Sequence, residues 1–338
     1  VTIALNDIYR SLRTVGLTKR QVSCILPEWW EPEMARSQSG LRETALLLGR
    51  RLSLDAAALL EGRIQHAQDL STPRYKHTVR VTEEQLRPAT LIASSLAKSI
   101  IGAMPARDVN LADTAQAIRE QVLNVDPRVD FDSILNFCWA LGIPVIPLPN
   151  LPAGIRKMDA AAIKVGHRPV ILIALRTNSK AWLSFLLAHE LGHLSLGHVP
   201  TNSALVEGSL NDSTEFDVDS NLDRQEVEAN AFANALLSGG QSEAVVGSWL
   251  RDLPPVSIAT TAMKASAELR TAPGHLVLRY GFLTRRWPDA RSALNFLSDD
   301  MDAQEGLVTR LRQEIDTSQI GSDLSDYVLQ ITGVAPKD

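Results

Sequence analysis

Ala181-Trp182-Leu183-Ser184-Phe185-Leu186-Leu187-Ala188-His189-Glu190-Leu191-Gly192-His193 joins a nearly unbroken apolar run to two imidazoles and a carboxylate. On a helix, His189 and His193 stand one turn apart on one face, so both reach a single metal ion. Glu190 is rotated by about 100° from His189. It stays out of the ligand set yet lies close enough to take a proton from a water held there. With 7 His in 338 residues, chance writes H-E-x-x-H into such a chain only about 1% of the time. The apolar lead-in places the motif on a buried helix, where polar groups need partners and a metal supplies them. These residues read as half of a zinc hydrolase site.

A catalytic zinc takes a third protein ligand and keeps one position open. Downstream, Arg224 to Leu237 reads as a second helix, with Val227, Ala231, Ala235 and Leu236 along one flank. Glu226 and Asn230 share a face at i and i+4, so one can bind metal while the other holds a ligand histidine. Glu228 lies about 200° round the helix from Glu226, so only one of the two points at the metal. Glu226 is preferred because Asn230 completes its pair. His198, five residues past His193 and just after Gly197, reads as a helix-end residue near carbonyls rather than a ligand.

Three further segments carry a resemblance. They are Leu141-Gly142-Ile143-Pro144-Val145-Ile146-Pro147, the run Val170-Ile171-Leu172-Ile173-Ala174-Leu175, and Glu226-Val227-Glu228-Ala229-Asn230-Ala231-Phe232-Ala233. Together with H-E-x-x-H they make residues 131–240 similar to the ImmA/IrrE family of gluzincin-type metallopeptidases. The resemblance implies His189, His193 and Glu226 as ligands of one Zn2+ and Glu190 as general base. It also implies a helix-turn-helix repressor or antitoxin as protein substrate, cut to control stress, phage or mobile-element genes. The 32 residues between His193 and Glu226 form a longer, more acidic insert than that pattern leads one to expect.

Composition bounds the rest. Hydrophobic content of 45%, charged content of 22% and a net charge of −5 fit an ordinary globular chain and exclude a surface built throughout to hold nucleic acid. Cys24 and Cys138 make no C-x-x-C, which with no leader-like segment suits a reducing cytoplasm. Cys138 reads as a small core residue, with a thiolate ligand as the alternative. No apolar run is long enough to span a bilayer.

The expected architecture is α+β and mostly helical, with a small sheet packed on the H-E-x-x-H helix in a zincin-like core. Residues 1–65 are helical: Leu5-Asn6-Asp7 opens one helix ended by Gly16, Thr18 to Gln21 has capping-box spacing, and Ser53-Leu54-Asp55 opens another. This order resembles an Xre-type helix-turn-helix module, degenerate where a reading helix belongs. Pro27 and Pro32 break that segment, and Glu28, Glu31 and Glu33 would repel phosphate. Residues 66–130 form a helical connector, with helices at about 83–104 and 111–124 and with His66 and His77 solvated. Residues 131–240 form the peptidase core, with a helix at 131–140, strands at 143–148, 161–165 and 170–175, and a Gly166 turn. An exposed edge strand there is expected to bind peptide. The stretch Thr201 to Asp223 reads as an acidic loop. Residues 241–338 are helical: His275 and Arg279 are assigned to structure before oxyanion binding, Trp287 and Phe296 to packing, and the tail from Ala303 to assembly. The alternative function is a DNA-binding regulator or antitoxin whose metal site is structural or sensory; a third is a scaffold that binds without cutting. The ligand set accepts several divalent ions besides zinc.

Overall fold

The computed structural model describes residues 3–67, 74–75, 82–155, 158–207, 221–298 and 302–334. It is α+β and mostly helical, with one mixed sheet. The chain opens with α1 (Leu5–Thr14), α2 (Lys19–Ile25), α3 (Gln38–Leu52) and α4 (Ala56–Leu60). Thr18 and Gln21 form the expected capping box, and Asp55 caps α4 through the Ala58 amide. Residues 26–33 form no helix. Instead Trp30 turns inward, and its indole N–H donates to Thr44 Oγ1 on α3 at 2.9 Å.

Next come β1 (Arg74–Tyr75), α5 (Glu83–Ala103), α6 (Ala115–Leu123) and α7 (Phe131–Ala140). Helix α6 begins four residues later than the composition predicts, because Thr114 caps it by accepting from the Ala117 amide. His66 is half-buried and bridges Leu54, not solvated; burial lowers its pKa first, and Arg87 and Lys98 add to that. His77 lies outside the described residues.

The sheet continues with β2 (Val145–Pro147), β3 (Ala160–Val165) and β4 (Arg168–Ile173), then α8 (Lys180–Ser195) and β5 (Ala204–Glu207). Its order is β1-β5-β3-β4-β2, with β3 antiparallel to both neighbours. The stretch expected to be an acidic loop therefore holds a strand: Ala204-Leu205-Val206 is buried and pairs with β3. Residues 208–220, with Asp212, Glu215, Asp217 and Asp219, lie outside the described residues. Consecutive buried residues in β3 and β4 mean that both sheet faces are covered. Edge strand β2 is buried too, so it offers no open edge for a peptide.

The chain ends with α9 (Asn221–Ser238), α10 (Ser242–Gly247), α11 (Pro255–Glu268), α12 (Pro273–Thr284), α13 (Trp287–Leu294), α14 (Ala303–Glu314) and α15 (Ser322–Thr332). One apolar cluster runs through the N-terminal helices, the sheet, α8, α9, α14 and α15; a second gathers α10 to α13. The tail assigned to assembly thus spends its apolar face inside the chain: Leu307, Leu311, Val328 and Ile331 are buried. The Tyr327 hydroxyl donates to the Arg51 carbonyl at 3.0 Å. Trp287 stacks on Trp182 as expected, but Phe296 is exposed. Among the described residues no helix is long and apolar enough to cross a membrane.

Candidate metal centre

Helix α8 is capped by Ser179, whose hydroxyl accepts from the Trp182 amide. Most of its circumference is buried by α9, α7, α12 and the sheet. Burial on all sides puts His189, Glu190 and His193 in a low-dielectric interior, each fully inaccessible. Opposite them, α9 turns inward through Glu226, Ala229, Phe232, Ala233 and Leu236. That stripe differs from the expected flank, since Val227 and Ala231 face outward.

The inward stripe decides between the two glutamates. Glu226 is 2% exposed, with its oxygens 3.3 Å from His189 Nε2 and 3.4 Å from His193 Nε2. Ligand atoms of His189, His193 and Glu226 all lie within 4.8 Å of one another. Glu190 is not in that triad, in keeping with its rotation away from His189. Cys138 is buried in α7 and outside the triad, and burial pushes its thiol pKa up.

Three observations test whether the triad suits a metal. The His189 Nδ1 faces Asn230 Oδ1 at 3.0 Å; an amide oxygen only accepts, so Nδ1 carries the hydrogen and Nε2 is bare in the neutral ring. That bare nitrogen lies 2.9 Å from His193 Nε2, beside a buried carboxylate, an arrangement that favours a cation in the middle. A tetrahedral ion with bonds of ~2.0–2.1 Å sets its ligand atoms ~3.3 Å apart, close to the separations of Glu226 from both rings. The residues fit.

Gly192 permits the close packing of α8 on α9. A Cβ there would meet Phe232 side-chain atoms at 3.2 Å and the Ala229 Cα at 3.3 Å. Gly192→Val should push α9 outward and carry Glu226 with it. Overpacking costs ~1–3 kcal/mol, and where that cost falls on the Glu226 position, zinc affinity measured against a competing chelator should fall ~5- to ~150-fold. Unchanged affinity would show that the approach at Gly192 does not govern the triad.

The histidine that the motif undervalues is His198. Gly197 takes φ +72 and ends α8 with two reversed bonds, His198 N–H to the His193 carbonyl and Gly197 N–H to the Leu194 carbonyl. This turn folds His198 back over His193. Its side chain meets His193 Nδ1 and the Glu228 carboxylate rather than helix-end carbonyls, and it is no ligand. Burial lowers the His198 pKa, His193 adds to that, and Glu228 works against it. Glu228, set aside as the outward carboxylate, is thus half-exposed and bonded to this ring.

His275 is buried at the start of α12, its Nε2 without a hydrogen-bond partner among the described residues. Burial lowers its pKa to about 3, with Arg279 and then Arg119 adding to the effect. It is a neutral core histidine. Arg279 pairs with Glu243. Arg119 reaches the C-terminal carbonyls of two helices, bonding Leu236 and Leu237 of α9 and Leu269 after α11. That contact anchors the helix that carries Glu226. A cavity of about 300 Å³ opens beside Lys180 and Ala181, about 12 Å along the helix from His189. Its walls are helix ends and turns, not the sheet. Set against protein-family models and curated proteins, the chain matches none.

Proposed function

We propose that this chain is a zinc-dependent endopeptidase of the ImmA/IrrE type that cuts a helix-turn-helix repressor or antitoxin. The observation that carries the reading is the buried convergence of His189, His193 and Glu226, with Glu190 next in sequence on the same helix. When bound, a divalent ion supplies Lewis acidity to water and to a peptide carbonyl. Glu190 takes the proton of the attacking water and returns it to the leaving amine. Asn230 holds the His189 ring by its far nitrogen. A site serving structure alone has no use for a carboxylate outside the ligand set, which favours catalysis. The lack of a helix over residues 26–33 weighs against reading DNA with the N-terminal region.

Incubation with purified helix-turn-helix repressors and antitoxins, with and without a zinc chelator, tests the proposal. Two fragments should appear in the zinc arm and none with chelator. An intact substrate in both arms would overturn the substrate assignment, and chelator-resistant cleavage would overturn the metal mechanism.

A further inference from the structure

We infer that His198 and Glu228 form a hydrogen-bond relay that fixes the proton of His193 on Nδ1 and so keeps its Nε2 bare for the metal. Both are positioning residues, and the inference rests on reading His189, His193 and Glu226 as a metal-binding triad. The geometry is a continuous line from surface to site. Glu228 Oε2 lies 3.0 Å from His198 Nε2. The other nitrogen of that ring, Nδ1, lies 3.0 Å from His193 Nδ1, with ring centroids 5.1 Å apart and inclined at 62°.

The direction of every bond follows from the end of the line. A carboxylate only accepts, so His198 carries its hydrogen on Nε2. In the neutral ring His198 Nδ1 is then bare and must accept. At 3.0 Å the bare His198 Nδ1 is satisfied by a hydrogen on His193 Nδ1, and the 2.9 Å approach of the two Nε2 atoms of His189 and His193 is then the pair that a cation bridges. The remaining nitrogen, Nε2, is left with its lone pair directed at the Glu226 side of the site. A half-exposed carboxylate thus sets the tautomer of a buried ring through a second ring.

The two ligand histidines are held differently. His189 leans on one neutral amide, while His193 leans on a relay that ends in a charge and makes the ring a stronger donor. The fold provides this economically. Gly197 turns His198 over His193, and α9 supplies both Glu226 and Glu228 from opposite sides of one helical turn. Metal retention then depends on residues that never touch the metal.

The test measures zinc affinity of the full chain by competition with a chromophoric chelator, and the visible spectrum of the cobalt-loaded protein. His198→Leu removes the acceptor and should lower affinity ~10–100-fold and shift the cobalt bands. His198→Asn puts an amide oxygen near the position of Nδ1 and should recover most of the loss. Glu228→Ala, a change at a half-exposed site with little call on folding, should fall between wild type and His198→Leu. Glu228→Ala and His198→Leu that bind zinc as wild type does, or His198→Asn no better than His198→Leu, would overturn the relay alone. A wild-type chain that takes up no zinc would overturn the triad, and the relay with it.

Discussion

Glu190→Gln is expected to keep the zinc content of wild type while cleavage falls by at least ~100-fold, within the range that a positioned general base contributes. Glutamine matches glutamate in shape but takes no proton, so the change removes chemistry and leaves packing. Glu190 is fully buried on α8 and stands outside the triad of ligand atoms, so metal uptake should not sense it. Neutralising a buried carboxylate also removes a desolvation cost, and the variant should fold at least as well as wild type. Zinc analysis of the purified variant and single-turnover cleavage of the proposed repressor substrate are the two readouts. A variant that cuts at the wild-type rate would take the base role away from Glu190. A variant that loses zinc would instead place Glu190 among the groups that hold the metal.

Much of this site is legible in the chain because its signals are local. The i, i+4 histidines need only helical periodicity, and Thr18 and Asp55 mark helix starts by their own side chains. The choice of Glu226 over Glu228 follows from where Asn230 falls on the same face, and His189 does bond to Asn230. What escapes is whatever depends on a distant partner. Ala204-Leu205-Val206 is too short for any period, and only pairing with β3 makes it a strand. The amphipathic tail announces a buried face but not that the face packs within the chain. His198 stands between these cases. Gly197 signals a left-handed helix end, which brings the second residue past the cap against the last turn. The second partner of His198, Glu228, comes from a helix 30 residues later, and no local pattern points to it.

Glu226→Ala is expected to lower zinc affinity by well over ~100-fold, more than the loss of any outer partner produces. Two imidazoles remain after the change, one turn apart on α8, and two neutral donors hold the ion far less tightly than two donors and a charge. Thermal unfolding separates this from misfolding. Ligand that binds only the native state stabilises it by about 2.7 kcal/mol at 100 times its Kd, so zinc should raise the midpoint of the wild-type chain. The same zinc concentration should leave Glu226→Ala unmoved, with the apo variant unfolding cooperatively. Glu228→Ala gives the contrast: it sits on the same helix, removes the same charge and should still show most of the zinc-induced rise. The ordering decides which acidic side chain of α9 holds the ion. A zinc response that survives in Glu226→Ala and vanishes in Glu228→Ala would reverse the assignment and turn the inward face of α9 away from the metal.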